Sequence, residues 1–147
     1  MSRPLNPDFA ETVAASFDKQ TAMQLIRATL PVIEHGRTEI HLPYWDGILQ
    51  QHGFVHGGVV GMIADSAAGY AAMTVVPADA SVLTVEYKMN LMAPADGEKL
   101  IARGQVVRPG RTLIVTIAEV FALKSGKETL CALMQQTIMV MRGKAER

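Results

Sequence analysis

Apolar and polar positions change period three times along this chain. Phe9, Val13 and Phe17 recur every fourth residue and predict a short amphipathic helix. Asn6 followed by Pro7 marks its start, a capping side chain ahead of a ring whose fixed φ suits the first helical position. Asp18 can cap a second helix carrying Met23, Leu25 and Ile26, with Pro31 as its stop. Across "PVIEHGRTEIHLP" the period shortens to two: Ile40 and Leu42 alternate with Glu39 and His41. That stretch reads as extended chain folding at His35-Gly36, either two strands or one bent strand. After a polar connection over 43–55, residues 57 to about 75 read as a helix. Val59, Val60, Met62, Ile63, Ala67, Ala68, Ala71 and Ala72 leave it hardly any polar face, so other elements must wrap it.

Beyond Pro77 four runs rich in Val, Ile, Leu and Thr follow, near 81–92, 98–108, 111–123 and 128–141. "PADG", "RPGR" and "KSGK" separate them, each with a glycine for a tight turn, and together they predict an antiparallel meander. In "VLTVEYKMNLM" strict alternation puts Leu83, Val85, Tyr87, Met89 and Leu91 on one face and Thr84, Glu86, Lys88 and Asn90 on the other. The order of elements predicts an α+β fold in which a curved sheet wraps one long helix. Neither a repeat nor a linker divides the chain, so one domain is expected over 1–147, with N-terminal helices over 1–30 and the core over 31–141.

Composition narrows the function classes. The 147 residues are 49% apolar, and fourteen basic side chains balance fourteen acidic ones, so charge gives no case for a nucleic-acid or anionic-membrane partner. The long apolar run is broken by His52, His56 and Asp65, which argues against a membrane span. Lone Cys131 excludes an internal disulfide, and the charged N-terminus lacks the apolar stretch of an export signal. A cytoplasmic location is expected.

Candidate chemistry gathers around the central helix. Gly57 and Gly58 stand where it begins, and without side chains they leave its first N–H groups open to approach. Dipole and donors together would stabilise the oxyanion of acyl transfer, although an ordinary glycine-rich cap has the same pattern. Asp65 lies two turns in among Gly61, Met62, Ala68 and Gly69, none of which can neutralise it. It is either a functional acid facing a cleft or a structural one bonded to another segment. His56 could brace the glycine loop or act as a base. His35, His41, His52 and His56 show no zinc-type spacing with Cys131, so no metal is expected. The turn with Arg108, Gly110, Arg111 and Thr112 offers either a grip for phosphate oxygens or a solvated loop.

The runs "GFVHGGVVGMIADSAAGYAA", "TVEYKMNLMAPA" and "GRTLIVTIAEV" resemble the hotdog-fold acyl-CoA thioesterases of the phenylacetate-degradation (PaaI-like) type, over about residues 35 to 141. This resemblance implies a hotdog fold, in which an antiparallel sheet wraps a long helix. It also implies homodimers joined sheet edge to sheet edge, often paired into homotetramers, with active sites at the subunit boundary. The implied reaction is hydrolysis of a fatty or aromatic acyl-CoA thioester without metal or organic cofactor. By the same resemblance Asp65 is the nucleophile or general base, Gly57 presents its N–H to the thioester carbonyl, Gly58 adjoins the substrate and His56 braces the loop. Gln50, or its neighbour Gln51, would help hold the carbonyl or the attacking water. Thr84 would lie near the acid, and Arg108, Gly110, Arg111 and Thr112 near the coenzyme A phosphates. A non-catalytic acyl-CoA sensor and an enoyl-CoA hydratase are the alternative activities on such a scaffold.

Overall fold

In the computed structural model, which describes residues 2–144, the long apolar run folds as α3 (Gly57–Met73) and forms the axis of the molecule. Residues 1 and 145–147, the ends of the expected 1–147 unit, lie outside the described residues. Two short helices, α1 (Phe9–Lys19) and α2 (Thr21–Ile26), precede the hairpin of β1 (Thr29–Glu34) and β2 (Arg37–Pro43). A 3-10 turn at Asp46–Ile48 leads into α3, followed by β3 (Ser81–Leu91), β4 (Lys99–Pro109), β5 (Leu113–Lys124) and β6 (Lys127–Met141). All six strands form one antiparallel sheet in the order β1-β2-β4-β5-β6-β3.

Alanine makes the wrapping possible. Ala64, Ala67, Ala68, Ala71 and Ala72 are fully buried, and their small side chains let the sheet approach the helix backbone. At the closest point β4 carries Gly104, where a Cβ would fall 2.3 Å from the carbonyl carbon of Ala67. Thr38 on β2 donates its hydroxyl to the Ala67 carbonyl at 2.7 Å. The far end of α3 is tied down by Thr74, whose hydroxyl donates to Ala71 C=O and accepts from Gly36 N–H, both at 2.7 Å. On the outer face of the sheet, Glu39 accepts from Arg37, from His41 at 3.2 Å and from Arg103 at 3.0 Å, while Arg103 also grips Glu128 with two nitrogens. This network joins β2, β4 and β6.

Four expectations need correction. The last four strands are not a simple meander: β4, β5 and β6 are, but β3 pairs with β6, so the "PADG" stretch carries the chain across α3 rather than closing a hairpin. Strict alternation in β3 also fails, because a bulge at Val85 inserts one extra residue opposite β6. Thr84 therefore faces α3 together with Tyr87, Met89 and Leu91. Helix α1 begins at Phe9, since Asn6 spends its side-chain oxygen on Asp8 N–H in a local turn that absorbs Pro7. Finally, α2 is not capped by Asp18 and ends at Arg27 in the left-handed conformation, while Pro31 lies within edge strand β1, where its missing N–H costs no ladder bond. The turn at His35-Gly36 resolves as a hairpin, with Gly36 at φ 82°.

Candidate active site

His56 is the N-cap of α3. Its Nδ1 accepts the Gly58 N–H at 2.8 Å, and its own N–H donates to Ile48 C=O at 2.9 Å. The Gly58 amide is thus engaged, whereas the Gly57 N–H makes no hydrogen bond among the described residues. Gly57 lines a small cleft of about 150 Å³ with Gln50, Leu91 and Cys131. Gln50 bends back so that its side-chain carbonyl accepts the His52 N–H, and Gln51 points into solvent and does not line this cleft. Cys131 is fully buried, and burial pushes its thiol up to about 11, which leaves it un-ionised at neutral pH.

Asp65 lies eight residues further along the same helix, about 12 Å of rise. One carboxylate oxygen, Oδ1, accepts from the Thr84 hydroxyl at 2.7 Å and from the side-chain amide of Gln136. Gln136 on β6 is 1% exposed, and its own Oε1 accepts from the buried Thr116 hydroxyl at 2.9 Å. The carboxylate fixes which way the amide points, because the reversed amide would set an oxygen against it, and Thr116 satisfies the amide oxygen that remains. No second partner holds Oδ2 among the described residues. The half-buried acid opens into a cleft of about 330 Å³. One wall comes from the N-terminal helices: Gln20 donates to Tyr70 OH at 3.2 Å and accepts from Ser66 at 3.2 Å.

The structure thus joins Asp65 with Thr84, and Gly57 with Gln50, but puts the two pairs in separate clefts. Tyr87 and Met89 of β3 lie over Gly61 between them. The basic turn is in neither cleft. Gly110 there admits no side chain, since a Cβ would fall 2.0 Å from Leu113 C=O, and Thr112 accepts from Val140 N–H at 2.8 Å. The exposed guanidinium groups of Arg108 and Arg111 pair with nothing among the described residues. Three contributors escaped the sequence reading: Gln136, Thr116 and Gln20. Gln136 and Thr116 sit in helix-facing rows whose neighbouring members, Met134 and Ile138 on β6 and Ile114 and Ala118 on β5, are apolar, and that placement was the available signal. Gln20 had none, because the gap between α1 and α2 points it inward. Among the described residues no group of three or more His, Cys, Asp or Glu could hold a metal ion, and no helix is long and apolar enough to cross a membrane.

Comparison with known proteins agrees with this architecture. A thioesterase family protein from Silicibacter pomeroyi is 42% identical, with a TM-score of 0.90 over 92% of this chain and 99% of that one. The Escherichia coli PaaI protein from the phenylacetic acid degradation operon shares the hotdog fold at a TM-score of 0.84, with 17% identity over 95% of this chain and 98% of its own. An archaeal protein named as an esterase, from Saccharolobus solfataricus, is 34% identical over 59% of this chain and 61% of its own length. The family model described as Thioesterase superfamily matches residues 52–129, from the loop ahead of α3 into β6, and the chain belongs to that superfamily.

Proposed function

We propose that the protein hydrolyses an acyl-CoA thioester, with Asp65 as nucleophile or general base. One observation carries this reading: Asp65 lines an open cleft with Oδ1 pinned by Thr84 and Gln136 and with Oδ2 held by no partner among the described residues. A carboxylate held by one oxygen is oriented without being neutralised. In the general-base form Oδ2 takes a proton from water as the water oxygen attacks the thioester carbon. The carbon–sulfur bond then breaks, and coenzyme A leaves as a thiolate. In the nucleophilic form Oδ2 itself attacks, and water later cleaves the resulting anhydride.

The oxyanion needs a donor, and Gly57 N–H with the dipole of α3 behind it is the best candidate. Within one chain that donor is too far from Asp65 for one carbonyl to meet both. The active site is therefore shared in a homodimer, Gly57 from one copy and Asp65 from the other. Strand β3 supports such pairing: it is a sheet edge, and Leu83, Val85, Tyr87 and Leu91 on it are each at least half exposed. The opposite edge, β1, is blunted by Pro31 and a register shift. In the dimer, Gln50 adjoins the thioester, and the turn from Arg108 to Thr112 reaches the coenzyme A phosphates; pairing of dimers into tetramers is compatible with this arrangement.

Asp65→Asn preserves the size and hydrogen-bonding reach of the side chain but removes the base. Its kcat/KM on acyl-CoA substrates, followed by release of free thiol, should fall at least about a hundredfold with little change in melting temperature. Near-parental turnover would reject the role. Tight acyl-CoA binding by the parent with no thiol released would favour the sensor instead.

A further inference from the structure

Residues 57, 61, 65, 69 and 73 form one stripe along α3, and three of the five are glycine. Two of those glycines have a packing reason. A Cβ on Gly57 would fall 2.9 Å from Leu91 Cδ1, and one on Gly61 would fall 3.3 Å from Met89 Cε. Gly69 has none: a Cβ there meets no atom within 4 Å, and its backbone needs no left-handed conformation. Glycine inside a helix is unfavourable relative to alanine, so its presence calls for another cause. Gly69 lines the Asp65 cleft one helical turn beyond the acid, and Met73 and Val82 close the far end.

Resting on the thioesterase reading above, we propose that Gly69 is the specificity-determining residue for acyl size, leaving a notch between Asp65 and Met73 in which the body of the acyl group lies. A cavity of about 150 Å³ accepts benzene. Within a single chain the cleft is about 330 Å³; with the thioester and the second copy's Gly57 loop taking part of it, an aryl ring or a chain of roughly six to eight carbons is the upper bound. Met73 and Val82 make the distal wall apolar, while Gln20, Ser66 and Tyr70 bond to one another along the side. The substrate class is thus an acyl group of ring or medium-chain size with an apolar end.

Gly69→Ala and Gly69→Leu test this with acetyl-, butyryl-, hexanoyl- and benzoyl-CoA. The ratio of kcat/KM for hexanoyl- or benzoyl-CoA to that for acetyl-CoA should fall about tenfold or more, further for leucine than for alanine. Gly69→Ala should also melt about 2–4 °C higher, because alanine favours the helix and strikes nothing. A glycine kept for packing, including close approach by a second copy, would instead give a lower melting temperature or a changed oligomeric mass. Either of those results, or a loss equal for every acyl group, overturns the proposal. If the parent hydrolyses no thioester, the activity reading fails by itself. S-alkyl-CoA thioethers of the same lengths then decide the notch: weakening of Kd in Gly69→Leu that grows with alkyl length sustains it, and uniform Kd values overturn it.

Discussion

Asp65 shows how a single residue acquires its setting from its partners. On an apolar helix it would be a costly charge, but Thr84 and Gln136 meet one oxygen, and the residue lines an open cleft. Gln136 does not line the cleft beside Asp65, so in the proposed mechanism it acts by aiming the acid. Gln136→Leu should therefore lower kcat about 10- to 100-fold while KM changes little, as is typical when an outer partner of a reactive group is lost. The same variant leaves the buried Thr116 hydroxyl without its acceptor, at a cost of about 1–3 kcal/mol seen in denaturant unfolding. Unchanged kcat in a destabilised protein would make Gln136 a purely structural residue.

At the level of elements, the contact between α3 and the sheet depends on backbone approach. Gly104 faces the Ala67 peptide so closely that any side chain must push rigid backbone aside. Gly104→Ala should cost about 2–3 kcal/mol or more, measured by the midpoint of chemical denaturation. This is opposite in sign to the outcome expected at Gly69, although both are glycines facing α3 or lying on it. The ion network on the outer face supplies a pH dependence. Burial alone would raise the Glu39 carboxyl above its ordinary value near 4.5, but His41, Arg103 and Arg37 outweigh that and hold it lower. The depressed folded value means that Glu39 contributes stability at pH values above 4.5, and loses that contribution as pH falls through the folded value. Glu39→Gln should be less stable than the parent at pH 7, and the difference should shrink toward pH 3 in parallel denaturant titrations.

At the scale of the whole molecule, the proposed mechanism requires assembly, because Gly57 and Asp65 are about 12 Å apart along one helix. Gly57→Pro removes the proposed donor at the first helical position, where proline is tolerated and His56 already has the extended ψ of 135° that precedes proline. Leu91 must shift to admit the ring. Gly57→Pro and Asp65→Ala should each be nearly inactive, but unfolded and refolded together they should regain about a quarter of parental activity, because half the dimers then hold one intact site. No recovery in a verified mixed dimer would place both groups in the same subunit.

Much of this was legible in the chain. The stretch from Gly57 to Met73 had too few polar positions for any exposed helix, and four β-rich runs with glycine turns pointed to an antiparallel sheet around it, although not to its strand order. That His56 adjoins the glycine pair and that Asp65 is the lone acid of the helix were likewise readable, because position along a helix is a local property; which of the alternatives open for each holds was not. Strand order was not, since β3 reaches β6 across the helix and no local period records which strand becomes a neighbour. Nor was the bulge at Val85, which swings Thr84 to the acid by breaking the alternation that periodicity assumes. Local sequence determined the elements and the candidate acid through spacing and chemistry. Only tertiary structure decided the acid's partners and the open notch beside it, because those depend on residues far apart in the chain meeting in space.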